Sequence, residues 1–263
     1  MDELKLNPHE LVLTLPELQD RIKRQPESYR LEFAAHFKVF VEKLDAFKEN
    51  PAKKDTTMMD YFKFMAHISG VYQQQLAAFL TTGLLNILQQ YYAILHPDVR
   101  TTLVSCLKVM RGKDIVAAAT VLPVFLKLFR CKDKDLRELL HGSIISDLKG
   151  LNAKSKNHPV NKKLQAFIHG LLQDPNEDAA KRALVVMIEL YKRKIWNDDK
   201  TVNTIWQGVL HANPKIIVAA TKFFLVLDYD YRSDSESEDS SDQEDARELL
   251  KHHKVSKLKK AQK

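Results

Sequence analysis

Apolar positions recur at helical spacing along most of this chain of 263 residues. In LQDRIKR, Leu18 and Ile22 stand four apart, with Thr14 as a candidate N-cap and Pro16 in the first turn. The next segment, PESYRLEFAAHFKVFVEKLDAF, sets Tyr29, Phe33, Phe37, Phe40 and Leu44 on one stripe. MMDYFKFMAHISGVY and LLNILQQYYAIL carry the pattern on, and helix follows helix to about Leu227. No segment alternates with period two, and no Asn-Gly or Asp-Gly hairpin signal occurs. The pattern predicts an all-α fold.

The second half carries a degenerate repeat. HPDVRTTLVSCLKVM, KDKDLRELLHGSII, DPNEDAAKRALVVMIEL and NPKIIVAATKFFL each read as a turn, a helix opening near an acid or proline, and an apolar face. Anchored at Asp98, Asp135, Asp178 and Lys215, they are spaced by 37, 43 and 37 residues. Two helices and two turns fill about that length, the period of HEAT and armadillo arrays. Proline suits a first helical turn, where its missing N–H costs nothing, and a preceding Asp or Asn can cap. Such pairs bury a face only against neighbours and stack into a solenoid. An irregular helical bundle is the rival architecture.

Composition sharpens this picture. Only 7 glycines occur, which disfavours phosphate-cradling loops and β-rich folds, since both lean on positive φ. Cys106 and Cys131 sit inside apolar patterns without a partner at metal-ligand spacing and read as buried free thiols in a reducing compartment. The first residues carry Asp2 and Glu3 and no long apolar run, unlike a secretory signal. The longest apolar stretch, Ile115–Leu126, is broken by Thr120 and Pro123 and ends at Lys127. That is short of the roughly 18–20 residues a membrane span needs. The expectation is a soluble intracellular protein.

The formal charge of +7 conceals three unlike segments. Residues 1–227, read as the helical solenoid, carry a net +9. Residues 228–248, DYDYRSDSESEDSSDQEDARE, carry ten acids and two arginines and have little to bury, so they read as a disordered acidic Ser-rich linker. Residues 249–263 carry six lysines and no acid and form a basic tail. A basic body beside acidic and basic segments suits polyanionic surroundings.

The densest candidate chemistry is ELYKRKIWNDDKTVN, Glu189 to Asn203. Neighbouring positions on a helix point about 100° apart, so Asp198 and Asp199 do not make a shared acid–base site. They precede KTVNTIWQGVL, in which Val202, Ile205, Trp206 and Val209 form an apolar stripe. Acids there complement the positive end of a helix and cap its free N–H groups. Lys192, Arg193 and Lys194 suit the last turn of the preceding helix, with Trp196 packed in the turn. The histidines are scattered, and the adjacent pair His252–His253 lacks the i, i+4 geometry of a helical zinc site. No Walker A, G-x-G-x-x-G, G-x-S-x-G or H-E-x-x-H pattern is present. No catalytic, metal or cofactor-binding residue, no cofactor and no small-molecule substrate is therefore assigned.

Two charge features remain. KSKNHPVNKKLQAFIHG supplies Lys154, Lys156, Lys162 and Lys163 around a turn; with Lys192, Arg193, Lys194 and Lys215 these form a candidate interaction surface. A merely solvated face fits the same residues equally well. Ser233, Ser235 and Ser241 each have an acid three residues on, the pattern acidophilic kinases favour, and are candidate phosphorylation sites. The tail KHHKVSKLKK is compatible with nuclear import or RNA phosphate contacts.

LPELQDRIKRQPESYRLEF, FMAHIS, LNAKSKN and above all AAKRALVVMIELYKRKIWNDDKTVNTI followed by KIIVAATKFFL resemble the N-terminal region of the SDA family, eukaryotic proteins named for severe depolymerisation of actin. The acidic segment SDSESEDSSDQEDARELL also looks like the family's acidic break. The resemblance implies a nuclear, largely nucleolar, non-catalytic factor in assembly and export of the large (60S) ribosomal subunit. Its expected partners are pre-ribosomal particles, through assembly-factor proteins and rRNA, with no membrane. Links to actin cytoskeleton organisation and the cell cycle also attach to the family, so a cytoplasmic adaptor in actin organisation or protein transport is the alternative. Family members are considerably longer, so the chain looks like an N-terminal portion or a shortened product.

Overall fold

A computed structural model describes residues 13–153 and 158–225. Among them are eleven α-helices and no strand: α1 Leu15–Arg24, α2 Arg30–Glu49, α3 Thr56–Ile68, α4 Gln73–Tyr91, α5 Pro97–Gly112, α6 Ala118–Lys127, α7 Lys134–Leu151, α8 His158–Leu172, α9 Glu177–Lys192, α10 Asp199–Val209 and α11 Pro214–Phe224. Short 3-10 turns precede α2 (Glu27–Tyr29) and follow α6 (Leu128–Arg130). The fold is all-α. None of the described helices is long and apolar enough to cross a membrane.

Helix starts are written locally. Thr14 and Glu17 form a reciprocal capping box ahead of α1, with Pro16 in its first turn. Asp55, Asp133, Asn176, Asp198 and Asn213 each accept a backbone N–H of the helix they open, at 2.8–3.0 Å. At α5 the imidazole Nδ1 of His96 takes that role, accepting from Asp98 N–H at 3.2 Å. At α9 the cap is Asn176, one residue after Pro175, while Asp174 instead accepts the N–H of Asn176. Helices α5, α7, α9 and α11 begin at 97, 134, 177 and 214, which reproduces the intervals of 37, 43 and 37 read from the repeat.

The helical body divides into two compact units, Met1–Phe125 and Leu126–Lys263. Each is built in two layers. In the first, α1, α3 and α5 stack in sequence while α2 packs on α3 and α4 on α5. In the second, α7, α9 and α11 stack, with α8 and α10 laid against α9. A helix that meets its second neighbour in one layer and its immediate neighbour in the other is the packing of stacked helix pairs, in which each repeat contacts only adjacent ones.

The core of the first unit centres on aromatic rings, with Phe40 and Phe47 meeting Phe62 edge-on at 5.8 and 5.9 Å. On α2 the buried stripe is Phe33, His36, Phe40, Leu44 and Phe47. Phe33, Phe40 and Leu44 lie on it as expected, but Tyr29 falls in the preceding 3-10 turn and Phe37 is only half-buried, and His36 and Phe47 complete the stripe instead. His36 fits because its Nδ1 meets the Tyr61 hydroxyl at 3.2 Å, and burial lowers its pKa, favouring the neutral ring. Both cysteines are buried, and burial pushes the Cys106 thiol up to about 12.

Candidate functional site

Positive charge is concentrated in the second unit. Residues 126–225 carry 18 Lys/Arg against 10 Asp/Glu, whereas residues 13–125 carry 14 against 11. Within the second unit a cleft of about 350 Å³ opens between α8 and α10, lined by Asn161, Lys162 and Gln165 of α8, Ile195, Trp196 and Asp198 of the intervening turn, and Lys200 of α10.

Its floor is a fixed polar network. Asn161 and Asn152 exchange amide hydrogen bonds at 2.7 and 3.2 Å. The indole N–H of Trp196, which is 2% exposed, donates to Asn161 Oδ1 at 3.1 Å. Gln165 donates to Asp198 Oδ2 at 2.8 Å and to the Thr201 hydroxyl at 3.2 Å. Asp198 Oδ1 accepts both the backbone N–H and the hydroxyl of Thr201, at 2.8 and 2.6 Å. The carboxylate is thus held by several donors at the positive end of α10, and Asp199 lies beside it in the first turn. The aspartate pair is a helix start. What remains directed outward is the cationic rim of Lys162 and Lys200, both exposed. Ammonium groups there can take phosphate or carboxylate oxygens, with a rigid amide floor behind them.

The structure places the sequence candidates unevenly. Lys162 is on the rim and Lys163 is exposed beside it on α8. Lys192 ends α9; Arg193 caps it and turns back onto Glu189, at 2.8 Å from Nε and 2.6 Å from the second nitrogen. Lys194 is not in the last turn of α9: its φ is 58°, a left-handed step that lets Ile195 and Trp196 bury. Lys215 stands in the first turn of α11. Lys154, Lys156, Ser233, Ser235 and Ser241 lie outside the described residues.

The stripe expected on α10 is also displaced. The buried residues are Thr201, Thr204, Ile205 and Gly208, while Trp206 is 51% exposed. A Cβ on Gly208 would sit 3.0 Å from the Ala220 Cβ and 3.4 Å from Leu184, so glycine allows α10 to approach α9 and α11 along this face. Lys200, Gln165 and Asn161 were not singled out from sequence. The available signal was the register Asn161, Leu164, Gln165, Ile168, a core stripe in which two positions are amides.

Histidines elsewhere act singly. His141 Nε2 meets Glu189 at 2.5 Å, and His211 bridges to the Leu172 carbonyl at 3.1 Å. Among the described residues no group of three His, Cys, Asp or Glu is placed to hold a metal ion. In the first unit an apolar groove of about 570 Å³ runs between α2 and α4, past Leu44, Phe79, Gly83 and Ile87.

The family model described as SDA1, HEAT repeat, matches residues 64–263. Protein SDA1 homolog of Xenopus laevis is 42% identical over 224 residues, covering 85% of this chain and 32% of that protein. Its counterpart in Drosophila melanogaster is 38% identical over 252 residues, 95% of this chain and 35% of that protein. Protein SDA1 of Chaetomium thermophilum is 31% identical over 257 residues, 95% and 33% respectively. The chain thus spans about a third of the length of these curated relatives.

Proposed function

Since the chain belongs to the SDA1 HEAT-repeat family, we propose that it is a non-catalytic scaffold in assembly of the large (60S) ribosomal subunit and nuclear export of its precursor particles. It works in the nucleus and nucleolus. Its rigid helix layers hold assembly-factor proteins, and the cationic face of the second unit holds rRNA phosphates. The observation that carries this reading is the concentration of charge in the second unit around the Lys162–Lys200 cleft. Clustered lysines attract nucleic-acid backbone without reading sequence, which suits a docking surface and makes the contact salt-dependent. The serine-bearing acidic tract at 228–248 offers a place where phosphate would change that electrostatic balance.

The test is sedimentation of the tagged chain from nuclear extract, with gradient fractions probed for large-subunit precursor rRNA. Salt-sensitive, RNase-sensitive co-migration with precursor particles is expected. Light fractions both for this chain and for a full-length relative would contradict it. A second reading, a cytoplasmic adaptor in actin organisation or protein transport, is favoured by the apolar α2–α4 groove, which suits a protein partner. Stable co-purification with cytoskeletal proteins after nuclease treatment would support that adaptor instead.

A further inference from the structure

The Lys162–Lys200 cleft has a candidate occupant within the chain. The last described residue, Leu225, follows α11, and the acidic tract begins three residues later, at Asp228. The tract carries net −8, matching in size the net +8 of residues 126–225. The described chain ends beside α10, one wall of the cleft. The Phe224 ring at the end of α11 lies 5.5 Å from the Trp206 ring of α10, edge to face. Lys200 precedes Trp206 by six positions on the same helix, about 9 Å along its axis. An extended chain gains about 3.3 Å per residue, and Lys200 lies about 120° round α10 from Trp206, so acids from about Asp234 onward can reach the rim.

We infer that residues 228–248 dock intramolecularly on the α8–α10 cleft, their carboxylates paired with Lys162 and Lys200, and so compete with external polyanions for that face. The cleft is open, Lys162 and Lys200 stand on its rim, and its own carboxylate, Asp198, is already engaged by Thr201 and Gln165. Gln165 and Asn161 are 6% and 7% exposed, so the floor beneath the lysines is already ordered before anything binds. Tethering a short distance away sets an effective concentration in the millimolar range, enough for weak carboxylate–ammonium pairs to hold. An RNA must then displace the tract, which weakens non-specific binding and leaves affinity to ligands that outcompete it. The docking claim stands on charge and reach; only its consequence for RNA rests on the function proposed above.

The experiment uses the whole chain. Carbodiimide, which joins a carboxylate to an amine with no spacer, is applied at low and at high salt, and the products are mapped by peptide mass spectrometry. Links from acids of 228–248 to Lys162 or Lys200 are expected at low salt and absent at high salt. They should vanish in Lys162→Glu/Lys200→Glu, whose melting temperature serves as the folding control. In parallel, a variant with the ten acids of the tract changed to Asn or Gln should bind a short oligouridine about tenfold more tightly than the parent. Links running only to the lysines of 249–263, or spread evenly over lysines of both units, would overturn the inference. So would unchanged oligouridine affinity on neutralising the tract, when the parent binds it. Crosslinks to the cleft with no RNA binding by either form would uphold the docked tract and count against rRNA contact by this face.

Discussion

Asp198 shows how one residue can look catalytic and be architectural. Its carboxylate takes the Thr201 N–H at 2.8 Å and the Gln165 amide at 2.8 Å, so it starts α10 and ties it to α8. Replacing it by alanine is expected to lower stability by about 1–2 kcal/mol, the cost of a lost cap. Asp199→Ala should stay within about 0.5 kcal/mol, as for an ordinary surface change. Denaturant unfolding of the two variants checks this, and equal effects would contradict the assignment. This role was legible in sequence because capping is local: an acid, a helix start and an apolar run are enough. The face of α10 was not legible. Trp206 carries more apolar area than Gly208, but the inward face is set by how closely α9 and α11 approach, a non-local fact. Gly208→Val should therefore cost about 1–3 kcal/mol through overpacking against Ala220 and Leu184, whereas Trp206→Gln should alter melting little. Equal melting shifts for the two would contradict the observed register.

At the scale of helices, the chain is fastened one repeat to the next. Arg130 pairs with Asp174 at 2.5 Å, Arg137 with Asp178 at 3.2 Å, and His141 with Glu189 at 2.5 Å, each across 41–48 residues of sequence. Burial would raise the pKa of Glu189, but hydrogen bonds and charge from His141 and Arg193 together outweigh it, and its carboxyl sits below the usual value of 4.5. The sign follows: a carboxyl with a depressed folded pKa binds fewer protons folded than unfolded. Its stabilisation is present above 4.5 and fades as pH falls through the lower folded value. Glu189→Gln should therefore lower the melting temperature of the second unit at neutral pH and flatten its acid dependence below pH 4.5. Thermal melts across that range measure it; parallel curves for variant and parent would contradict it. The starts of α5, α7, α9 and α11 were readable because proline and short polar residues mark them locally. The stacking into a solenoid was readable from the repeat length, but which helices share a layer was not, since that depends on contacts a whole repeat away. His96 escaped as a cap for a related reason: an imidazole can accept an N–H, but it lacks the statistical signature of Asp or Asn.

For the molecule as a whole, charge separates what the fold unites. Both units are layered helices, yet the first presents an apolar groove between α2 and α4 and the second a cationic cleft between α8 and α10. Sequence showed a basic body but could not show that most of the excess lies in one unit, or that Lys162 and Lys200, 38 positions apart, share a rim. That convergence depends on the α9–α10 turn, where the left-handed step at Lys194 buries Trp196 on Asn161. The central claim is that this rim of the second unit is the polyanion-binding face. The most direct test is capture of large-subunit precursor rRNA by the tagged chain, comparing Lys162→Glu/Lys163→Glu/Lys200→Glu with a control that reverses Lys38, Lys53 and Lys108 on the first unit. Three lost phosphate contacts should cut capture by about tenfold or more, with melting unchanged and the control near the parent. Equal losses from both triple variants would show that only net charge matters and would contradict the account.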